Sequence, residues 1–283
     1  MVSSNTIEIL HNEPLSRHTT WRIGGPAKTL VKVAVTEQGA IQELLREYHA
    51  AGERVVIMGG GSNILAPDEG FDGVVLCIKD APLSFREFVE LGIKHGFTST
   101  ERLVGIPGTL GGAIAMNAGT ATEFIGDLVE SVTAIDLTDP DFPIRTYTHD
   151  EIEWGYRTTS LRDTHLILAA AFNSGEQEDP ATLRVRCAEK LAQRKATQPL
   201  NFPNAGSVFR NPDGDSAGRL IEAVELKGMV CGGAQISDVH ANFIVNRGGA
   251  TAADVLELIE LARKRVFEEY GVELQTEVRL LGA

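Results

Sequence analysis

The stretch GIPGTLGGAIAMNAG, residues 105–119, is the most unusual part of this chain. Five glycines and one proline among its residues leave few large side chains. Such a segment allows the backbone to approach another backbone, or a ligand, very closely. From this stretch alone, a ligand-binding loop and a set of tight turns are both acceptable interpretations.

A second glycine cluster, Gly59-Gly60-Gly61-Ser62-Asn63, follows a predicted strand over residues 54–58. Consecutive backbone N–H groups without side chains in the way can surround an anion and need no lysine. The cluster matches neither the dinucleotide pattern G-x-G-x-x-G nor the phosphate-loop pattern G-x-x-x-x-G-K-[ST]. A pyrophosphate-binding loop and a pair of tight turns therefore both remain open here.

The regular elements around these clusters are short strands mixed with helices. Thr36 is expected to cap a helix that stops at Gly52, and Thr251, Asp254 and Gly271 form the start and end signals of a second helix. This mixture predicts an α+β fold, with a boundary in the acidic stretch 176–180. Strands are predicted over residues 30–35, 54–58, 74–78, 129–137, 166–172 and 272–280, further helices over 84–95 and 181–196, and a loop over 201–218.

Three polar residues stand out as candidates for chemistry. Arg157 follows Tyr156, a pairing that suits a carboxylate or phosphate but is as common on ordinary surfaces. Ser207 lies in a glycine-containing loop that is not the hydrolase G-x-S-x-G pattern, so it is either a ligand-facing or a simple turn serine. Glu277 lies on the last predicted strand and is more often a solvent-facing residue there. His240 is more often a hydrogen-bonded structural histidine than a ligand.

Composition excludes several classes of protein. The chain has 283 residues with 26 Lys and Arg against 39 Asp and Glu, a formal net charge of −13, which argues against general nucleic-acid binding. Three cysteines, Cys77, Cys187 and Cys231, lack metal-type spacing and an even count, so we expect no metal site and no disulfide framework. No signal peptide or membrane span is visible, and we expect a cytoplasmic location.

Several short motifs occur in one order along nearly the whole chain, and together they resemble the UDP-N-acetylenolpyruvoylglucosamine reductase (MurB) family. The spacing between residues 156 and 207 is similar to that of the shorter, type II members. The motifs are HTT and GGPA (18–20, 24–27), GGGSNIL (59–65), GIPGT, GG and MNAG (within 105–119), YR (156–157), NAGS (204–207), SAGRLI (216–221), NFIVN (242–246) and EVR (277–279).

The resemblance implies a vanillyl-alcohol-oxidase-like (PCMH-type) FAD-binding domain at residues 1–175 and a C-terminal α+β substrate domain at 176–283. It implies tightly but non-covalently bound FAD and NADPH as the co-substrate. The family reduces the enolpyruvyl ether of UDP-N-acetylglucosamine to UDP-N-acetylmuramate for peptidoglycan synthesis. No metal, membrane, nucleic acid or obligatory protein partner is implied.

The resemblance also implies roles for individual residues. Arg157 and Glu277 would flank the enolpyruvyl carboxylate, and Ser207 would donate the proton that completes the reduction. Tyr156, Lys195 and Asn211 would contact the substrate. The residues implied to contact FAD are Gly59, Gly60, Gly61, Ser62, Asn63, Ile106, Pro107, Gly108, Thr109, Gly111, Gly112 and Asn117.

One departure from the family lies between Ile78 and Leu83, where members usually carry about one further β-hairpin. Either the fold tolerates this loss or FAD binding is weakened. Two rival functions follow. One is an FAD oxidase of another small substrate, although residues 59–65 contain no histidine for a covalent flavin. The other is an inactive, non-flavin binding protein, against which the joint presence of Arg157, Ser207 and Glu277 argues.

Overall fold

A computed structural model describes residues 7–80, 83–120 and 123–282 of the chain. Its helices are α1 Gln38–Ala50, α2 Phe85–Lys94, α3 Leu110–Ala115, α4 Pro180–Thr197, α5 Ala217–Ala223 and α6 Ala252–Tyr270. Its strands are β1 Ile7–Pro14, β2 Pro26–Ala34, β3 Val55–Met58, β4 Ile64–Leu65, β5 Phe71–Lys79, β6 Val129–Asp136, β7 Ile144–Thr148, β8 Trp154–Gly155, β9 Thr158–Thr159, β10 His165–Phe172, β11 Val230–Cys231, β12 Ala234–Ile236, β13 Ile244–Asn246 and β14 Arg279–Leu280.

By compactness, the chain divides into two units that interleave along the sequence. Unit one takes the described residues within Met1–Leu10, Leu30–Gly60 and Gly73–Ala192. Unit two takes His11–Thr29, Gly61–Asp72 and Gln193–Ala283, as far as these are described. The division of the chain into residues 1–175 and 176–283 stays a prediction.

The larger sheets combine parallel and antiparallel pairing. A four-stranded sheet has the order β1-β2-β5-β3, with β3 and β5 parallel from the pair Val55–Val74 to the pair Met58–Cys77. A three-stranded antiparallel sheet has the order β10-β6-β7. Two smaller antiparallel groups, β11-β12-β13 and the hairpin β8-β9, and the parallel pair β4-β14 complete the pairing of the described strands.

Unit one has two apolar cores. In the first, Ile41 and Leu45 of α1 pack with Val31, Val74 and Leu76 of the four-stranded sheet. The second is formed by α2, α3, the central strand β6 and part of α4. The second core holds the glycine-rich stretch at residues 105–119 against regular elements of unit one.

Three predicted helix boundaries have different outcomes. The capping box of Thr251 and Asp254 and the left-handed Gly271 that ends α6 are both confirmed. The predicted cap of α1 at Thr36 is wrong, because α1 begins after Glu37 and no side chain caps it. A turn in which the Glu37 N–H donates to the Ala34 carbonyl at 3.0 Å precedes the helix and moves its start.

Unit two is built on α5, α6 and the β11-β12-β13 group, around a core that includes Trp21, Phe209 and Leu258. The predicted strand over 272–280 is wrong for most of its length, since only β14 is a strand there. This segment first forms an isolated antiparallel bridge, Phe209 with Thr276, and then pairs with β4. Because the partner changes, no continuous ladder forms. No helix among the described residues is long and apolar enough to cross a membrane.

Candidate active site

The two glycine segments of unit one meet backbone to backbone. A Cβ atom added to Gly60 would lie 2.8 Å from the Cα of Gly108, which is closer than real contacts allow. A Cβ added to Gly59 would collide with the hydroxyl of Thr109. The close approach predicted from composition is therefore present, and both positions need glycine for it.

The glycine-rich stretch contains α3, a short helix that the sequence analysis did not predict. Thr109 caps it by accepting a hydrogen bond from the Gly112 N–H at 3.2 Å. Such N-caps are typical of Ser and Thr. The residues predicted to contact the cofactor around this helix, from Ile106 to Gly112, therefore lie in the turn that enters α3 and in its first residues.

Asp80, which was not among the predicted site residues, contacts the glycine-rich stretch. Its Oδ2 accepts a hydrogen bond from the Leu110 N–H at 2.9 Å, so it joins the end of β5 to the first turn of α3. Burial raises the pKa of Asp80, and backbone hydrogen bonds from Leu110 and Phe85 oppose that rise. Asp80 begins the shortened connection to Leu83, whose central residues Ala81 and Pro82 lie outside the described part.

The rest of the first glycine cluster belongs to unit two. Gly61 has a φ of 62°, and its carbonyl oxygen accepts a hydrogen bond from the Thr20 N–H at 3.1 Å. The Asn63 side chain donates to the carbonyl oxygen of Glu277 at 3.1 Å, and the Arg279 N–H donates to the Asn63 carbonyl at 3.1 Å. The structure thus brings the predicted cofactor residue Asn63 next to the predicted catalytic residue Glu277.

Tyr156 and Arg157 form the two-residue turn between β8 and β9 on unit one. Arg157 has a φ of 58°, a left-handed conformation that is uncommon for a residue with a side chain. Its guanidinium carbon lies 5.0 Å from the centre of the Tyr156 ring, and its Nη2 donates to the Gly119 carbonyl at 2.9 Å. The turn therefore presents a half-buried cation beside the glycine-rich stretch.

Ser207 and Glu277 lie on neighbouring segments of unit two, although they are seventy positions apart in the chain. The Glu277 N–H donates to the carbonyl of Val208, the residue after Ser207, at 2.8 Å. The side chain of Asn242 supports this pairing, because its Oδ1 accepts from the Phe209 N–H at 2.9 Å and its Nδ2 donates to the Phe209 carbonyl at 2.8 Å. Asn242 was part of a recognised motif, but nothing in its spacing indicated this partner.

The remaining predicted residues lie in different settings. Lys195 is exposed near the C-terminal end of α4. The Oδ1 of Asn211 accepts from the Ala217 N–H at 3.1 Å, so it supports the start of α5. His240 accepts from the Asn242 N–H through Nδ1 at 3.2 Å, and burial lowers its pKa. That contact supports the structural interpretation of His240.

Comparison with known proteins gives the chain its family. Residues 198–281 match the family described as the C-terminal domain of UDP-N-acetylenolpyruvoylglucosamine reductase. The UDP-N-acetylenolpyruvoylglucosamine reductase of Heliobacterium modesticaldum is 42% identical, with 96% of this chain and 90% of the relative aligned. The chain belongs to the UDP-N-acetylenolpyruvoylglucosamine reductase family. The reductase of Moorella thermoacetica is 40% identical, with 98% of this chain and 94% of the relative aligned.

The solved structure of UDP-N-acetylenolpyruvylglucosamine reductase (MurB) from Thermus caldophilus superposes with a TM-score of 0.79 at 33% identity. It covers 97% of this chain and 98% of the other. The α+β fold that the family resemblance implied, with its vanillyl-alcohol-oxidase-like architecture, is therefore confirmed. The alignment with the Heliobacterium reductase extends over 290 positions, more than the 283 residues of this chain, so the relative contains residues that this reductase-family member lacks.

Proposed function

We propose that this protein is an FAD-dependent reductase that uses NADPH to convert the enolpyruvyl ether of UDP-N-acetylglucosamine to UDP-N-acetylmuramate. The observation that carries the proposal is the match to reductases of this name along nearly the whole chain. We further propose that it acts in the cytoplasm, in peptidoglycan synthesis, as its family resemblance implies.

The residues present fit FAD as the cofactor. The close approach of Gly60 to Gly108 leaves a surface made mainly of backbone at the C-terminal end of β3 and at the entry to α3. Backbone N–H groups of this kind suit phosphate oxygens. We propose that residues 59–63 and 106–112 hold FAD, and that the bound flavin supplies the hydride for the reduction.

Arg157 is proposed to stabilise negative charge on the substrate. When hydride reaches the β-carbon of an enol ether, charge develops on the α-carbon and its carboxylate. A guanidinium ion presents two parallel donors to a carboxylate and attracts that developing charge. The bond from Nη2 to the Gly119 carbonyl and the adjacent Tyr156 ring hold this cation in one place.

Ser207 is proposed to supply the proton that completes the reduction. Hydride and one proton together saturate the carbon–carbon double bond, so the atoms and charges balance. A serine hydroxyl is a weak acid in water, but the carbanion or enol that accepts the proton is a strong base, and a donor at a fixed position is effective. The pairing of the backbone at Val208 and Glu277 fixes the chain on either side of the hydroxyl and the carboxylate.

Colour and turnover test the proposal together. The purified protein is expected to be yellow and to release FAD on denaturation. It is also expected to oxidise NADPH only when the enolpyruvyl ether is present. A colourless protein that takes up no added FAD would support the inactive binding protein instead. A yellow protein that reduces oxygen with another substrate, and ignores the enolpyruvyl ether, would support the oxidase.

A further inference from the structure

Asn117 is buried at the end of α3, where only 4% of the residue is exposed. Its backbone is left-handed, with a φ of 42°. Both ends of its side-chain amide are hydrogen-bonded to the protein: Nδ2 donates to the Gly155 carbonyl and Oδ1 accepts from the Gly126 N–H, each at 3.0 Å. A side chain held in this way fixes the positions of the two backbone segments that carry Gly155 and Gly126.

The partner of Nδ2 is the residue that enters the Tyr156–Arg157 turn. The Gly155 carbonyl belongs to the peptide unit that joins Gly155 to Tyr156, so its orientation helps to set the turn. Arg157 itself has a left-handed backbone, which is unfavourable for a residue with a side chain and persists only where several surrounding contacts hold it. The hydrogen bond from Asn117 is therefore one of the contacts that hold this turn in place.

The partner of Oδ1 is Gly126, which also contacts the β8-β9 hairpin. The ring of Trp154, on strand β8, packs so closely on Gly126 that an added Cβ would collide with it, and the same Cβ would lie 2.8 Å from the Asn117 Oδ1. The Arg157 guanidinium also donates to Gly119, two residues after Asn117. On the other strand, the Thr159 hydroxyl of β9 donates to the Ala115 carbonyl at 3.2 Å, so both strands of the β8-β9 hairpin are joined to the end of α3.

We propose that Asn117 is a positioning residue that sets the Tyr156–Arg157 turn, and that its side chain acts on the reaction through Arg157. In this proposal the side-chain amide positions Arg157 for the substrate, and only the backbone of Asn117 contacts FAD. The inference rests on the proposed function, because it gives Arg157 the role stated there.

Three variants test it. Asn117→Ala removes both bonds. Asn117→Asp keeps the acceptor for Gly126 but, when ionised, turns an oxygen toward the Gly155 carbonyl. Ser99→Ala is the matched control, since Ser99 is also buried on unit one and donates one hydrogen bond, to the Ser174 carbonyl at 2.9 Å, away from the hairpin.

Asn117→Ala is expected to lower kcat/KM by ~10², the loss that a displaced catalytic group produces, with normal FAD content. Ser99→Ala is expected to lose thermal stability without this loss. Combined with Arg157→Ala, which removes the guanidinium altogether, Asn117→Ala is expected to add almost nothing, because both changes disable the same group. If the two losses simply multiply, Asn117 does not act through Arg157 and the inference is overturned.

The pH profile of Asn117→Asp gives a second decision. When the new carboxyl is protonated, it can again donate to the Gly155 carbonyl. The activity of Asn117→Asp relative to the wild type is therefore expected to rise as the pH falls. A ratio that stays constant with pH contradicts the inference.

Amide hydrogen exchange separates this inference from the proposed function. Exchange at Gly126 and across residues 155–157 is expected to speed up in Asn117→Ala and not in Ser99→Ala, whether or not the enolpyruvyl ether is reduced. Unchanged exchange in Asn117→Ala would overturn the positioning role. Absence of turnover in the wild type, with the exchange result as expected, would overturn only the proposed function.

Discussion

The backbone N–H of Glu277 donates to the carbonyl oxygen of Val208 at 2.8 Å. This bond places Glu277 beside the loop that carries Ser207, within unit two. Phe209 and Thr276 form the next bridge along the two segments, and the Asn242 amide holds Phe209 from the other side. A hydroxyl and a carboxylate therefore come from two segments whose separation is set by backbone hydrogen bonds.

Ser207→Ala should separate the two halves of the reaction. NADPH is expected to reduce the FAD-loaded variant at close to the normal rate, because no proton donor to carbon is needed in that half. Oxidation of the reduced enzyme by the enolpyruvyl ether is expected to slow by ~10² or more, as for loss of a positioned general acid. Anaerobic stopped-flow absorbance measures both rates.

Ser207→Cys is the companion variant, since a thiol can donate a proton from the same position. It is expected to recover part of the lost rate. Equal slowing of both halves in Ser207→Ala would mean that Ser207 supports the fold or the flavin, and the proton-donor role would be wrong.

Arg157→Lys should lower turnover by more than about tenfold, since lysine keeps the charge but loses the planar pair of donors. Arginine and lysine are equally disfavoured in a left-handed backbone conformation, so the substitution adds no strain to the turn. FAD content, read from the flavin absorbance, is expected to stay unchanged. A variant as active as the wild type would return Arg157 to an ordinary structural role.

Gly60→Ala should weaken FAD binding. The new Cβ would lie 2.8 Å from the backbone Cα of Gly108, and this clash is relieved only by moving the glycine segments apart. Overpacking of this kind costs about 1–3 kcal/mol, so we expect the Kd for FAD to rise by between about fivefold and ~10². Fluorescence titration of the apoprotein measures it.

Gly39→Ala is the matched control for that measurement. Gly39 lies in α1, and nothing is within 4 Å of an added Cβ there. This change is expected to leave FAD affinity alone and to stabilise the fold by about 0.5–1 kcal/mol, since alanine is the better helix former. Unaltered FAD affinity in Gly60→Ala would contradict the role of the paired glycine segments.

His240→Asn should reduce the dependence of stability on pH. Burial lowers the pKa of His240 below its usual 6.5. His240 therefore binds a proton more tightly in the unfolded chain than in the folded protein. Its stabilising contribution is complete above pH 6.5 and is lost as the pH falls through the lower folded value. An asparagine Oδ1 can replace Nδ1 as acceptor for the Asn242 N–H and does not titrate.

Thermal unfolding between about pH 7.5 and about pH 5 tests this change. The fall in Tm over that interval is expected to be smaller in His240→Asn than in the wild type. Parallel curves for His240→Asn and the wild type would show that His240 does not contribute to the acid sensitivity.

Local patterns in the sequence were sufficient for many of the regular elements. The capping box at Thr251 and the glycine at 271 bounded α6, and Ser84 began α2 with its own capping box. Such signals act within one helical turn, so they can be read from neighbouring residues. The start of α1 was misplaced because a turn at Ala34–Glu37, set by its link to β2, overrode the local preference at Thr36.

By itself, the sequence determined the α+β class, the two glycine segments and the order of motifs that identifies the family. Only the tertiary structure decided what those residues contact: Asn117 with Gly155, Asp80 with Leu110, Gly60 with Gly108 and Glu277 with Val208. Each of these pairs joins residues that are far apart in the chain, and a pairing of that kind depends on how the surrounding cores pack. Local propensity extends over only a few residues, so no pattern within a single segment could have specified these partners.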